Sequence, residues 1–147
     1  NLLACKDSIE LLQQLVESGA WIDFTQGLDI RLMTEDAAEL IKAMKVKMLH
    51  FAWDRANNND RIIENLTKFK DITQYDYRKL QVYVLTNYET TFDYDLYRIY
   101  KLRKLGYTPY VMIYDKQHAP RKIRRLQRWV NNKIIFRTCK RFEDYEG

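Results

Sequence analysis

The sequence has few of the residues that interrupt regular secondary structure or that build metal sites. It contains 4 glycines, 2 prolines and 2 cysteines among 147 residues, which argues against a loop-rich or all-β fold. Cys5 and Cys139 lie far apart and have no metal-ligand spacing. We therefore expect no disulfide framework, and no metal site that these residues could form alone.

Long apolar runs are also missing. No stretch is apolar enough to span a bilayer, and no segment resembles a secretory signal. The sequence therefore predicts a cytoplasmic protein with no membrane partner.

Acidic residues are absent from one long segment. Residues 116–141 contain ten Lys or Arg and no Asp or Glu, whereas the rest of the chain has 15 basic and 20 acidic residues. This asymmetry indicates either an anionic partner or a basic surface that faces water.

The composition is otherwise that of a globular protein. Hydrophobic residues make up 46% of the chain and charged residues 31%, and the length suits one domain spanning 1–147. The chain has no initiator methionine and opens on apolar residues, so we interpret it as a piece of a longer protein.

Amphipathic helices alternate with β-prone runs. One helix is predicted after Asp7, with Asp7 and Glu10 as a capping box and Gly19 at its end, and another after Thr34. Strands are predicted at 21–25, 46–53, 80–85 and 109–114, with a short final strand at 133–138. Further helices are predicted at 61–69, from Thr90 or Thr91 to Leu105, and from Pro120 onward.

This alternation predicts an α/β fold with a parallel sheet of βα repeats, since strands separated by helices pair through crossover connections. Ligands of such sheets bind at the carboxyl ends of the strands. Polar residues crowd those ends here, at 25–31, 53–54, 86–88 and 115–116.

The first of these ends carries two opposite charges. Asp29 and Arg31 follow Gly27 amid apolar neighbours, and strand alternation would place both side chains on one face. Two interpretations remain open: the pair contacts a ligand, or Asp29 and Arg31 satisfy each other.

Several segments together resemble the C-terminal half of a radical S-adenosylmethionine (radical SAM) enzyme domain. The resemblance covers nearly the whole chain, and the segments are NLLACKD (1–7), DFTQGLDIRL (23–32), LHFAWD (49–54), YVLTNYETTFDYDLYRIYKLRKLGY (83–107), PYVMIYDK (109–116), RRLQRWVNNKIIF (124–136) and CKRFEDYEG (139–147).

The resemblance implies a partial (β/α)6 barrel of which this chain forms the C-terminal portion, a half TIM-like barrel with a basic C-terminal helix in an extension at 116–147. Such domains bind a 4Fe–4S cluster through a CxxxCxxC motif, which this sequence lacks. We therefore expect the cluster loop and S-adenosylmethionine chemistry in the full-length protein, no bound cofactor in this chain alone, and the N-terminal half of the barrel as its partner. Exposed edges of a half-barrel also make a homodimer of the fragment plausible.

The resemblance also implies roles for residues at the strand ends. Candidate S-adenosylmethionine contacts are Gln26, Gly27, Asp29 and Arg31. Candidate substrate contacts are Asp54, Asn87, Tyr88 and Asp115, although Asp54 and Asn87 could instead cap the following helices. No catalytic residue is predicted.

The basic helix predicted at 121–133 supports a second hypothesis, that the chain is a non-catalytic α/β module that binds nucleic acid. In that case Trp129 and Phe136 would stack on bases. The alternative is that Ile123, Leu126 and Val130 pack on the sheet while the arginines face water.

Overall fold

A computed structural model describes residues 1–147 and confirms the predicted α/β class. Helices α1 to α6 and strands β1 to β4 follow one another in the order α1 Ser8–Ser18, β1 Trp21–Leu28, α2 Glu35–Ala43, β2 Lys45–Ala52, α3 Asn59–Thr73, β3 Leu80–Thr86, α4 Phe92–Leu105, β4 Thr108–Ile113, α5 Arg121–Asn131 and α6 Lys133–Thr138. Short 3-10 turns lie at Leu2–Ala4, Ile30–Leu32, Tyr77–Lys79 and Phe142–Asp144. None of the helices combines the length and apolar character that a membrane crossing requires.

The four strands form one open, all-parallel sheet in the order β1-β2-β3-β4. Each strand connects to its neighbour through a helix, and the sheet does not close. The sheet is therefore a partial barrel-like array with β1 and β4 at its edges.

The helices cover one face of this sheet. In β3, Leu80, Val82 and Val84 are buried, and they belong to an apolar cluster that also takes in residues of α1 to α4. The alternate residues of β3 are less buried, and on β4 Tyr110 and Met112 are 39% and 47% exposed. Since successive side chains of a strand point to opposite faces, the second face of the sheet has no covering layer.

The basic segment packs on the sheet, as the second interpretation of its helix predicts. Ile123, Leu126, Trp129 and Val130 of α5 are buried in a cluster with Val111 of β4. The cations of the outer face of α5 point to water. Trp129 is fully buried and Phe136 is 7% exposed, so neither ring can stack on bases. The predicted stacking is therefore wrong.

Two local predictions are wrong. Residues 133–138 form helix α6 and not a strand, because the Asn132 side chain accepts hydrogen bonds from the amides of Ile134 and Ile135 and starts a helical turn. Asp7 precedes α1 as predicted, but its side chain makes no capping hydrogen bond, so the capping box does not form.

The first strand is longer than predicted. It continues past Thr25 to Leu28, with an irregularity in its pairing with β2 between Phe24 and Leu28. Extra residues in one strand of a pair bend it and re-aim its side chains. The irregular part contains Gln26 and Gly27.

Candidate functional site

The carboxyl ends of β1 and β2 enclose a cavity of about 420 Å³. Four of the predicted site residues line it: Gly27, Asp29, Arg31 and Asp54. The other side chains of the wall include Asn1, Arg55 and Asn57. The volume lies within the range of small-molecule sites, which is roughly 300–1,000 Å³.

Asp29 and Arg31 form an ion pair with each other. Arg31 Nε donates to Asp29 Oδ1 at 2.8 Å, and Nη2 donates to Oδ2 at 2.7 Å. Asp29 Oδ1 also accepts from the Arg31 amide at 3.0 Å, which opens the 3-10 turn Ile30–Leu32. The hydrogen bonds from Arg31 hold the pKa of Asp29 below its ordinary value, and the bonds from the guanidinium contribute most.

The pair is therefore a local turn motif. Alternation does not apply to it, since Asp29 and Arg31 flank the start of a 3-10 turn and do not lie within a strand. The Arg31 side chain remains 48% exposed and Nη1 forms no hydrogen bond. One edge of the guanidinium thus stays free at the cavity.

The same motif occurs at the other end of the strands, just before β3 begins. Asp76 Oδ1 accepts from the Arg78 amide at 2.9 Å and from Arg78 Nε at 2.7 Å, and the 3-10 turn Tyr77–Lys79 follows. An Asp-x-Arg sequence at the start of a 3-10 turn therefore explains both charge pairs without a ligand. The Asp76–Arg78 motif can therefore serve as a control for experiments on the Asp29–Arg31 motif.

Gln26 and Gly27 contribute differently. Gln26 is exposed and lies outside the cavity wall. A Cβ added at Gly27 would meet only His50 O and Phe51 C, both at 3.9 Å, which is ordinary contact. No steric conflict within the chain therefore requires glycine at position 27.

Asp54 lies where the cavity wall passes from β2 into the loop before α3. Partial burial raises the pKa of Asp54, while the Leu85 amide and the charges of Arg98, Arg31 and Arg55 oppose this effect. Asp54 does not cap α3, because Asn58 occupies that position. A carboxyl group of raised pKa between arginines is suited to exchange a proton or to accept a hydrogen bond from a ligand.

The predicted residues at the ends of β3 and β4 form a second group, outside the cavity. Asn87 Nδ2 donates to Tyr114 O at 3.2 Å, and the Tyr88 and Tyr114 rings lie 4.7 Å apart. Asp115 is 2.9 Å from His118 Nδ1. Thr91, and neither Asn87 nor Thr90, caps α4.

A buried charge pair behind the strand ends was not predicted. Asp95 and Arg98 of α4 are both 0% exposed, and Arg98 Nη2 donates to Asp95 Oδ1 at 2.5 Å. Arg98 also donates to the carbonyls of Trp53 and Leu85, and Asp95 accepts from the Asn87 amide. The pair thereby fastens the ends of β2 and β3 to α4.

The helical spacing of α4 carried a signal for this pair. Asp95 and Arg98 lie seven and four residues before Leu102, on the stripe that also contains Ile99. Charges on the buried stripe of a helix are almost always paired.

Aromatic rings lie side by side on the uncovered face of the sheet. His50 stacks on Tyr83 with ring centres 5.3 Å apart, and Tyr83 meets Tyr110 edge-on at 5.8 Å. His50 Nδ1 is 2.7 Å from Phe24 O, so the histidine fastens β2 to β1. Trp53 is fully buried and belongs to the core.

No group of three or more His, Cys, Asp or Glu side chains is placed to hold a metal ion. Comparison of the chain with protein-family models, with curated proteins and with solved structures finds no match.

Proposed function

We propose that the chain is the C-terminal half of a radical SAM enzyme and contributes S-adenosylmethionine and substrate contacts to a 5′-deoxyadenosyl-radical reaction. The observation that carries the proposal is the sheet: helices cover one face, the other is open, and polar residues line a cavity at the carboxyl edge. Parallel sheets ordinarily have both faces covered. An N-terminal half-barrel would cover this one and pair with an edge strand.

The cavity fits a zwitterionic ligand of this kind. The free edge of Arg31, together with Arg55 on the same cavity wall, would bind a carboxylate. Asp54 would accept from an ammonium or hydroxyl group. Both carboxylate oxygens of Asp29 accept hydrogen bonds from Arg31, so Asp29 would orient Arg31.

The chemistry itself depends on the upstream half. A 4Fe–4S cluster held by a CxxxCxxC motif would supply the electron that cleaves S-adenosylmethionine, and this chain has no such motif. We therefore propose that the chain alone is inactive and that its polar residues only position the bound molecules. Residues at the ends of β3 and β4, among them Asn87, Tyr88 and Asp115, would face the substrate.

The strand count constrains this proposal. If three strands precede the chain, the four strands described here make a total of seven, one more than the six of a (β/α)6 barrel. Strand β4 and the basic segment packed on it would then be an addition at the barrel edge.

The test is binding of S-adenosylmethionine to the full-length protein. Arg31→Ala should weaken binding about tenfold or more, as expected for the loss of a charge-assisted contact. Arg78→Ala removes the same turn motif at the other end of the strands and should leave the affinity unchanged. Equal affinities for Arg31→Ala and the unmodified protein would return Arg31 to a purely structural role.

A second candidate function is nucleic-acid binding through the basic face of α5, which is favoured by its exposed cations and the absence of acids in 116–141. With Trp129 and Phe136 buried, this face would bind by charge alone. Affinity would then fall steeply with salt. A flat salt dependence, or no binding to RNA or DNA, would exclude this function.

A further inference from the structure

A larger cavity lies at the amino-terminal edge of the sheet. Its volume is about 610 Å³, and its wall is formed by the segment before β3, the junction of α4 with β4, and α6. Tyr77 and Arg78 precede β3, and Thr108 is the first residue of β4. At about 3.3 Å per residue, the seven residues of β3 separate this cavity from the carboxyl edge by about 20 Å.

The wall of this cavity is strongly basic. It contains no Asp or Glu and five basic side chains, which are Arg78, Arg103, Lys133, Arg137 and Lys140. Arg78 is paired with Asp76, but none of the other four has a carboxylate within 4.0 Å. Four uncompensated cations around one cavity favour an anionic ligand.

Arg103 forms a fixed part of this wall. It donates to Phe136 O and to Lys140 O, both at 2.6 Å, and its guanidinium lies 3.6 Å from the centre of the Phe136 ring. Burial lowers the pKa of Arg103, since its partners are carbonyls and a ring and not a carboxylate. Arg103 thereby holds α6 and its cations against α4.

Most of the remaining wall is apolar or aromatic. Met48, Val130 and Tyr107 line it, and Tyr77 presents a ring that is 36% exposed, with Arg137 at 5.6 Å from its centre. The cavity is too large for an inorganic phosphate alone. Cations beside an accessible ring suit a ligand that joins phosphate to a flat base.

We propose that this cavity binds a nucleotide, with Lys133, Arg137 and Lys140 on the phosphate and Tyr77 beside the base. The nucleotide could be free or a unit of a single-stranded nucleic acid. This site is separate from the S-adenosylmethionine cavity and does not depend on the radical SAM proposal. It also differs from the exposed face of α5, because none of the basic side chains in the cavity wall belongs to α5.

The test uses the full chain at about 0.15 M salt, where the Debye length is about 8 Å and distant surface charges are screened. Binding of adenosine triphosphate is measured by calorimetry, and binding of a fluorescent single-stranded oligonucleotide by anisotropy. The cavity variant is Arg137→Glu with Lys140→Glu. The matched control is Lys6→Glu with Lys42→Glu, which makes the same charge change at two exposed positions outside both this cavity and the basic segment 116–141.

We expect the cavity variant to lose at least about tenfold in affinity and the control to change by less than about threefold. A further variant, Tyr77→Leu, should weaken binding of nucleotide but not of inorganic pyrophosphate. If adenosine triphosphate binds and competes with the oligonucleotide, a free nucleotide is a ligand of this cavity. If the oligonucleotide binds and adenosine triphosphate does not, the ligand is a single-stranded nucleic acid. Equal losses in the cavity and control variants, or no binding of either probe by the unmodified chain, would overturn the proposal.

Discussion

The buried pair of Asp95 and Arg98 offers the sharpest test of how the strand ends are held. In the variant Arg98→Met, Asp95 would keep a buried charge without its cation. The carbonyls of Trp53 and Leu85 would lose their donor as well. Breaking a buried pair on one side typically costs about 3–5 kcal/mol. That is a large part of the stability of an ordinary domain, about 5–15 kcal/mol.

A second variant separates the charge from the packing. In Asp95→Asn with Arg98→Met, the asparagine carries no charge and still accepts from the Asn87 amide, a bond of 3.3 Å in the structure. This double variant should be more stable than Arg98→Met by at least about 1 kcal/mol. Arg128→Met on exposed α5 is the matched control and should stay within about 0.5 kcal/mol of the unmodified chain.

The assay is urea denaturation followed by far-ultraviolet circular dichroism. The midpoint should fall while the dependence of the unfolding free energy on urea stays constant. A loss below about 1 kcal/mol for Arg98→Met, or a double variant less stable than the single one, would show that Arg98 does not stabilise Asp95 and the two carbonyls in the buried pair.

Three further predictions concern the core and the cavity. Tyr107 is buried and donates to Leu66 O at 2.7 Å, so Tyr107→Phe should lower the unfolding free energy by about 0.5–1.5 kcal/mol in the same assay. Partial burial raises the pKa of Asp54, so its charged form opposes folding, but water reaches the exposed side of this carboxylate and screens the effect. Asp54→Asn should therefore stabilise the chain only slightly at pH 7, and the gain should vanish below the unfolded-state pKa of about 3.9 in melts across pH. A gain that grows on acidification would contradict this sign. Gly27→Ala meets no close contact and should stabilise the chain by about 0.4–1 kcal/mol, whereas a loss would mean that the bulged strand needs glycine.

Much of the fold could be predicted because capping residues in the sequence indicate where helices begin and end. Gly19 ends α1 in a left-handed conformation, as its position predicts, and Thr34 caps α2 by accepting a hydrogen bond from the Ala37 amide. Apolar periodicity then separates helices from strands, and their alternation leads to a parallel sheet.

Short apolar runs could not be assigned in this way. KIIFRT contains β-branched and aromatic residues that suit a strand or a helix equally, and the Asn132 cap decides for a helix. The cap acts through backbone geometry that the composition of the run does not reveal.

The candidate site was predicted in part, for a related reason. The carboxyl-edge rule brought together Gly27, Asp29, Arg31 and Asp54, which share one cavity. It did not separate them from Asn87, Tyr88 and Asp115. The sequence shows which residues follow the carboxyl ends of the strands, but it does not show how far apart those residues lie across the sheet. It also treated Asp29 and Arg31 as strand residues, whereas a local turn pairs them.

We propose that this chain completes a radical SAM enzyme. The most direct measurement is 5′-deoxyadenosine formed by the full-length protein, reconstituted with iron and sulfide without oxygen and supplied with S-adenosylmethionine and a reductant. We expect a CxxxCxxC motif in the full-length sequence and formation of 5′-deoxyadenosine that depends on the cysteines of that motif. Absence of the motif, or no 5′-deoxyadenosine from protein with a full cluster, would contradict it.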